Sequence, residues 1–599
     1  MFQRFDVTAD PSHGPARLAA LRELMGAEGL DAVLVPRADR FQGEYVAPAD
    51  ERLAWLTGFT GSAGFCAVTA QEAGVFVDGR YRVQVRSQVA PDFTPVNWPE
   101  VKLADWLLER LGSGQRVGFD PWLHTVDEIE NLRERLTPKG IGLVPIDNPI
   151  NRLWSDRPAA PDAAFSAFPE EIAGESHASK RARLAAQLRE AGERACVLTL
   201  PDSIAWLLNI RGGDVAYNPV PHAFAVLHED GTCDLYARPG KADAIRDHLG
   251  EEVRVHPETS FVPGLDFLPS PTRLDPKSCP EAIHQFLTAR GITVSRGSDP
   301  CLLPKARKSA AEIAATTEAH LRDGAAMVSF LAWLDREAPK GGLTEIDVVR
   351  GLEGFRRATN ALLDLSFDTI CGAAAHGAIV HYRVTEQTDA PVRPGELLLV
   401  DSGGQYLDGT TDITRTVAIG PAPEGAAESY TRVLQGMIAI SRARFPKGVA
   451  GQHLDALARY PLWLAGQDYD HGTGHGVGVF LSVHEGPQRL SRLSDVPLEP
   501  GMILSNEPGY YREGAWGIRI ENLILVEEAP SLPGADDRAM LSFRTLTWVP
   551  LDRRLIVPDL LSRDERAWID AYHAGVLDRI WPRVEGAARD WLDSACAPL

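Results

Sequence analysis

The sequence predicts an α/β (α+β) chain of two related N-terminal units followed by a third unit built on β-hairpins. Three observations predict it. The first half carries an internal duplication of helix-then-strand segments. A helix-start pattern, Ser309-Ala-Ala-Glu312, follows a proline-containing stretch near residue 300. In the last third, two strand–turn–strand stretches are each bracketed by a pair of acidic residues.

The duplication is read segment by segment. An amphipathic helix pattern from Arg17 to Met25 runs into the apolar strand Asp31-Ala-Val-Leu-Val35, and Arg181 to Ala191 runs into Ala195-Cys-Val-Leu-Thr-Leu200. Next come Leu53-Ala-Trp-Leu-Thr-Gly58 and Ile204-Ala-Trp-Leu-Leu-Asn209. Strand-like runs follow in each copy, Phe65 to Thr69 and Gly74 to Asp78, then Ala223 to His228 and Cys233 to Ala237. Helices alternating with short apolar strands favour α/β layers. The offset between copies falls from 164 residues at the strands (195 − 31) to 151 at the tryptophans (206 − 55), so the first copy holds thirteen extra residues, placed around Phe41 to Asp50.

Proline-containing stretches at 158–169 and 300–304 are the expected linkers, which divides the chain into 1–155, 156–304 and 305–599. Ser309 and Glu312 form a capping-box pattern that opens a helix running to about Asp335. The last sixty residues add helical segments bearing Trp568, Tyr572, Trp581 and Trp591, aromatics suited to packing or subunit contact.

Over 599 residues the formal net charge is -21, which argues against nucleic acid or an anionic membrane surface as a partner. No uncharged apolar run reaches the ~20 residues of a membrane helix. The first residues, Met1 to Thr8, lack the apolar core of a secretory signal. Seven scattered cysteines without CxxC spacing fit neither a disulfide framework nor a thiolate zinc site. A cytoplasmic protein is the expectation.

The chemistry concentrates in the acidic pairs. Residues facing each other across a hairpin have numbers with a constant sum. A loop centred between Tyr406 and Leu407 sets Asp401 opposite Asp412, and one centred on Gly514 sets Glu507 opposite Glu521. Like charges directly opposed in a sheet are destabilising, so two such pairs imply cations. Arg519 shares a face with Glu521, which places a guanidinium beside the second pair. Between the hairpins lies His471-Gly-Thr-Gly-His475, whose glycines disfavour a helix, so one of the two histidines is expected to ligate. Four carboxylates and an imidazole make a hard, oxygen-rich set that suits Mn²⁺ or another first-row divalent ion. The reaction class that follows is metal-assisted hydrolysis. His381 and His484 are candidates to donate to an oxyanion or a departing nitrogen, with core histidines as the other reading.

Val400-Asp-Ser-Gly403, Thr411-Asp-Ile-Thr-Arg-Thr416, His471-Gly-Thr-Gly-His-Gly-Val-Gly478, Asn506-Glu-Pro-Gly509 and Gly517-Ile-Arg-Ile-Glu-Asn522 together resemble the pita-bread metallopeptidases, a group that includes prolidase, aminopeptidase P and the metal-free creatinase. The duplicated N-terminal units, the stretch Ile204 to Pro219 and Phe543-Arg-Thr-Leu-Thr-Trp-Val-Pro550 look like its long three-domain aminopeptidase P branch. The resemblance implies two creatinase-like α/β domains and a pita-bread catalytic domain with a curved antiparallel sheet. It implies two divalent ions, with Mn²⁺ favoured over Co²⁺ or Zn²⁺. Asp401 would bind one ion, Asp412 and Glu521 both, and His475 and Glu507 the second. Glu507 would be the general base, His381 and His484 would contact substrate and handle protons, and Tyr511 and Arg519 would lie near the substrate. The implied activity is release of the N-terminal residue from peptides with proline at position 2, by attack of a metal-bridging hydroxide, in a homodimer. The alternatives are a prolidase-type Xaa-Pro dipeptidase and a catalytically silent peptide-binding module.

Overall fold

The computed structural model describes residues 1–599. The chain divides into two compact units, Thr8–Lys305 and the pair of segments Met1–Val7 and Ala306–Leu599.

Two six-stranded sheets organise the first unit. The earlier one contains β1 (Ala32–Pro36), β2 (Phe65–Thr69), β3 (Ala73–Val77), β4 (Thr94–Asn97), β5 (Arg116–Phe119) and β6 (Gly142–Pro145), in the order β4-β3-β2-β1-β5-β6. The later one contains β7 (Ala195–Leu198), β8 (Phe224–His228), β9 (Cys233–Ala237), β10 (Val253–Pro257), β11 (Thr272–Leu274) and β12 (Val294–Arg296), in the order β10-β9-β8-β7-β11-β12. The two orders are the same. In both sheets the three middle strands are antiparallel and the flanking ones join in parallel. Helices α1 (Gly14–Ala27) and α2 (His177–Glu190) precede β1 and β7. Residues 37–51 separate β1 from its tryptophan-bearing helix, fifteen residues, where only Thr199 and Leu200 separate β7 from its own. The thirteen extra residues of the first copy sit there. All seven cysteines are free and buried.

The second unit opens with α3 (Ala310–Glu337), whose Ser309 and Glu312 make both halves of the capping box, and α4 (Glu345–Arg357) follows. The first seven residues, expected with the first domain, pack here. Gln3 and Thr369 exchange hydrogen bonds through Gln3 Nε2, Gln3 Oε1 and the Thr369 backbone, and Phe5 joins the core of Met327 and Phe330. Three strands, β13 (Ile370–Ala373), β14 (Glu396–Ser402) and β15 (Ile413–Ile419), form one antiparallel sheet. A six-stranded sheet takes β16 (Arg444–Pro446), β17 (Gly474–Gly476), β18 (Glu485–Leu490), β19 (Ile503–Asn506), β22 (Asn522–Glu528) and β23 (Met540–Thr545), in the order β16-β23-β22-β19-β17-β18. The pair β20 (Gly509–Arg512) and β21 (Trp516–Arg519) forms the tip of one hairpin, and Leu362–Leu365, Gly404–Tyr406 and Gly409–Thr410 make a small three-stranded sheet at the tip of another. Helices α5 (Ala426–Ser441), α6 (Gly451–Trp463), α7 (Arg563–Ile580) and α8 (Gly586–Ala595) follow, and Trp548 and Trp568 each stack on Tyr572.

Helices α5 and α6 meet at Gly436, where an added Cβ would lie 2.1 Å from the Ala458 carbonyl oxygen. Gly436→Ala is therefore expected to destabilise the chain by about 1–3 kcal/mol through overpacking. Gly354→Ala, on the open face of α4 with nothing within 4 Å of the new Cβ, is expected to stabilise by about 0.5–1 kcal/mol through helix propensity. Denaturant midpoints of the two variants check the opposite signs.

Candidate metal centre

The carboxylates arrive on two hairpins, and their registers differ from one another in an informative way. In the first, Asp401 pairs with Thr414 and Ser402 with Ile413, so the hairpin centre lies between Leu407 and Asp408. Asp401 does not face Asp412 as expected. The expected centre is one residue early, which displaces the partner by two, and Asp412 sits diagonally from Asp401 on the same face. In the second, Asn506 pairs with Asn522 and Gly509 with Arg519, which extrapolates to Glu507 opposite Glu521 about Gly514. Both glutamates fall where the ladder is broken. The Glu507 N–H donates to Thr473 O at 2.8 Å and the Glu521 N–H to Thr414 O at 3.2 Å, so each carboxylate strand is tied to a neighbouring element.

One donor atom from each of Asp412, His475 and Glu521 lies within 4.8 Å of the other two. His475 Nε2 is 3.5 Å from Asp412 Oδ2 and 3.4 Å from Glu507 Oε1. The Gly476 carbonyl accepts from His475 Nδ1 at 2.9 Å, which puts the proton there and turns the Nε2 lone pair toward the carboxylates. Glycines are needed on either side. A Cβ at Gly474 would lie 1.9 Å from Ser505 O, and one at Gly476 would lie 2.4 Å from Glu485 O. His471 is directed elsewhere, its Nε2 lying 2.9 Å from the Tyr511 hydroxyl.

Electrostatics show how costly this cluster is for the protein alone. Burial, then the charges of Asp401 and Glu507, holds the Asp412 carboxyl well above the ordinary carboxylate range. Burial, then Asp412, Glu507 and Asp401, does the same to Glu521. Asp401 Oδ1 and Glu521 Oε1 are buried without a hydrogen-bond partner, as oxygens reserved for a cation would be. The donor set and these orphaned atoms fit divalent metal.

Arg519 departs from expectation only in part. Its guanidinium is 1% exposed and is committed to Asp401 Oδ2 (Nη2 at 2.6 Å, Nε at 3.2 Å), Thr414 Oγ1 and the Tyr511 hydroxyl. Its hydrogen bonds go to Asp401 of the first acidic pair, while its charge also acts on Glu507 and Glu521 of the second. Tyr511, pushed up to about 12 chiefly by burial, is held between Arg519 and His471 and is part of the same network. His484 is half-buried, with its ring centroid 4.2 Å from that of His475 in an edge arrangement. His381 follows the turn Ala374–Ala378 and is half-buried. That turn presses on β21, since a Cβ at Gly517 would lie 1.7 Å from Gly377 O.

Several residues that hold the site have no motif to announce them. Glu345, fully buried, accepts from the Ala373 and Ala390 N–H groups, the Tyr382 hydroxyl and His376 Nδ1, and so fixes the loop that carries His381. On α6, Asp455 and Arg459 pair at i, i+4; Thr473 donates to Asp455, and Arg459 donates to the His471 and Tyr469 carbonyls. Lys308 and Glu485 form a buried ion pair at 2.5 Å beside His484. Only the Asp455–Arg459 spacing was readable in advance, as a helical pair.

The sequence profile of metallopeptidase family M24 matches residues 314–528, and the profile of its C-terminal region matches 539–599. Creatinase/prolidase N-terminal domain profiles match 17–153 and 156–312. A probable Xaa-Pro aminopeptidase P of Laccaria bicolor is 38% identical over 97% of this chain and 93% of its own length. The chain belongs to metallopeptidase family M24. Aminopeptidase P2 of Arabidopsis thaliana is 38% identical, covering 97% of this chain and 88% of that protein. Among solved M24 structures, the X-prolyl aminopeptidase of Caenorhabditis elegans, described as a cytosolic enzyme with a di-nuclear active site, superimposes with a TM-score of 0.94. It is 33% identical and covers 98% of this chain and 100% of its own. The architecture is that of creatinase-like N-terminal domains joined to an M24 pita-bread domain.

The hydrogen bond to Glu345 raises the His376 imidazole above its usual 6.5. A histidine raised on folding adds stability that is fully present below about pH 6.5 and is lost as pH rises through the folded value. His376→Gln is therefore expected to cost more stability at about pH 5.5 than at about pH 8.5. Chemical denaturation at the two pH values checks the sign.

Proposed function

We propose that this chain is a metal-dependent aminopeptidase that releases the N-terminal residue from peptides with proline at the second position. The observation that carries the metal dependence is the buried Asp412–His475–Glu521 cluster with its orphaned carboxylate oxygen. The full-length likeness to X-prolyl aminopeptidases supports the substrate class. When bound, two divalent ions supply Lewis-acid polarisation of the scissile carbonyl and a water acidic enough to ionise near neutral pH.

The protein's residues divide the remaining work. Asp412 and Glu521 are assigned to both ions, Asp401 to one, and His475 with Glu507 to the other. The hard oxygen set favours Mn²⁺, with Co²⁺ and Zn²⁺ as lesser choices. Glu507 is the most open of the four carboxylates, its side chain 17% exposed against 10% for Asp401 and 5% for Asp412, with Glu521 deeper still at 1%. That exposure supports Glu507 as the carboxylate that accepts a proton from an attacking water. Its Oε1 accepts from Ser505 Oγ at 3.1 Å, which fixes its rotamer. His484 and His381 are assigned to substrate contact and to protonation of the departing nitrogen. Proline at position 2 makes the scissile bond a tertiary amide with a ring behind it, so a site shaped for a ring selects by sterics.

The peptide substrates are the partners this reading requires. A homodimer is supported by an exposed apolar strip of Leu457, Tyr460 and Leu464 at helical spacing along and just beyond α6, beside exposed Trp463 and Leu493. A cytoplasmic location is supported by the cytosolic C. elegans relative. No helix is long and apolar enough to cross a membrane, and the net charge of -21 opposes nucleic-acid binding.

A peptide panel with and without Mn²⁺ tests the proposal. Xaa-Pro-Xaa peptides are expected to lose their first residue in a metal-dependent reaction, and Xaa-Ala-Xaa peptides to be cleaved poorly or not at all. Glu507→Gln is expected to lower turnover by about 10²–10⁴-fold. Cleavage confined to Xaa-Pro dipeptides would identify a prolidase-type enzyme, and peptide binding without cleavage a silent module.

A further inference from the structure

Arg415 stands on β15 between Thr414 and Thr416, with its side chain on the face opposite Asp412 and Thr414. It is 1% exposed. Its guanidinium donates to six acceptors and none is a carboxylate. Nη1 reaches Thr414 O at 2.9 Å and Glu521 O at 2.6 Å. Nη2 reaches Asn522 Oδ1 at 2.8 Å, Val549 O at 2.8 Å and the Tyr572 hydroxyl at 3.0 Å, and Nε reaches Pro550 O at 3.0 Å.

These acceptors come from three places. Thr414 O belongs to the Asp412 strand and also accepts from the Glu521 N–H. Glu521 O and Asn522 Oδ1 belong to the strand that carries the other shared carboxylate. Val549, Pro550 and Tyr572 belong to the C-terminal region, and the Tyr572 hydroxyl also donates to the Thr547 and Val549 carbonyls. A buried cation without a carboxylate partner is costly unless its hydrogen bonds are filled. Here they are filled by neutral groups, and its charge lies behind the two strands that bring Asp412 and Glu521 to the site.

We propose that Arg415 is a positioning residue of the metal centre. It locks the strand of Asp412 to the strand of Glu521 and fastens both to residues 547–572, which makes the C-terminal region a working part of the site. This rests on the metal-centre reading above. Residues that orient metal ligands from behind typically cost about 10–100-fold in metal affinity when replaced. A lysine cannot replace the planar five-donor fork.

The test is Mn²⁺ titration calorimetry on the full-length parent, Arg415→Lys, Tyr572→Phe and Val576→Ala, with circular dichroism to confirm folding and electron paramagnetic resonance of bound Mn²⁺. Tyr572→Phe keeps the ring stack and removes only the hydroxyl, so it decides the matter if Arg415→Lys does not fold. Val576→Ala truncates a buried apolar residue of the same helix that makes none of these hydrogen bonds and controls for lost stability. The expected result is a loss of affinity of about 10-fold or more in Arg415→Lys, a smaller loss in Tyr572→Phe, an altered spin-coupling signal in both, and parental affinity in Val576→Ala. Parental affinity in Arg415→Lys and Tyr572→Phe overturns the proposal, as does an equal loss in Val576→Ala. Failure of the parent itself to bind Mn²⁺ overturns the metal-centre reading beneath it.

Discussion

Four carboxylates within reach of one another, three buried and one half-buried, are the constraint around which the second unit is arranged. Desolvation and mutual repulsion act together on Asp412 and Glu521, and both are driven well above their ordinary range as acids. A protein interior does not gather such groups without a compensating charge. Arg519 forms an ion pair with Asp401, and its single charge is shared among all four carboxylates. The rest of the compensation has to come from ions.

Much of the surrounding architecture serves to hold this unfavourable geometry. The second hairpin breaks its ladder at both of its glutamates, and each freed N–H bonds to a neighbouring element. Asp455 and Arg459 anchor the His471–Thr473 loop from α6, and Glu345 gathers the loop that bears His381. Beneath the first hairpin, Arg356 is bound to Asp323 and to the Ser402 carbonyl. Asp455, Arg459 and Glu345 are buried polar groups with filled hydrogen bonds, the condition under which buried charge organises a site without unfolding it. The aminopeptidase proposal depends on that rigidity, because metal ligands and proton-handling groups must keep their places while peptides come and go.

How much of this was legible in the sequence depended on whether the signal was periodic or spatial. Alternation and helix order exposed the duplicated sheets, including the thirteen-residue insertion between β1 and its helix. Gly514, with its left-handed φ of 76°, fixed the centre of the second hairpin, and Glu507 and Glu521 fell opposite as expected. The first hairpin has no such marker. Its turn is displaced by one residue, and Asp401 faces Thr414 in consequence. The pairing was wrong while the shared face was right, because a displacement of two keeps the alternation. Arg519 was legible only in part. Strand periodicity told which face it occupies but not that Asp401, 118 residues earlier, would arrive beside it. The bonds of Arg415 to residues 547–572 and of Glu345 to His376 join segments far apart in the chain, and no local pattern encodes them.

The central claim is that cations hold the carboxylate cluster together, and thermal unfolding of the metal-stripped protein tests it most directly. Removing metal from the parent at neutral pH is expected to lower Tm, and adding Mn²⁺ to restore it, as binding to the folded state alone requires. In the stripped state, Asp412→Asn is expected to be more stable than the parent, since it removes one of four repelling charges, and to gain little from Mn²⁺. If stripping leaves Tm unchanged and Asp412→Asn is no more stable than the parent, the cluster does not need cations and the account is wrong.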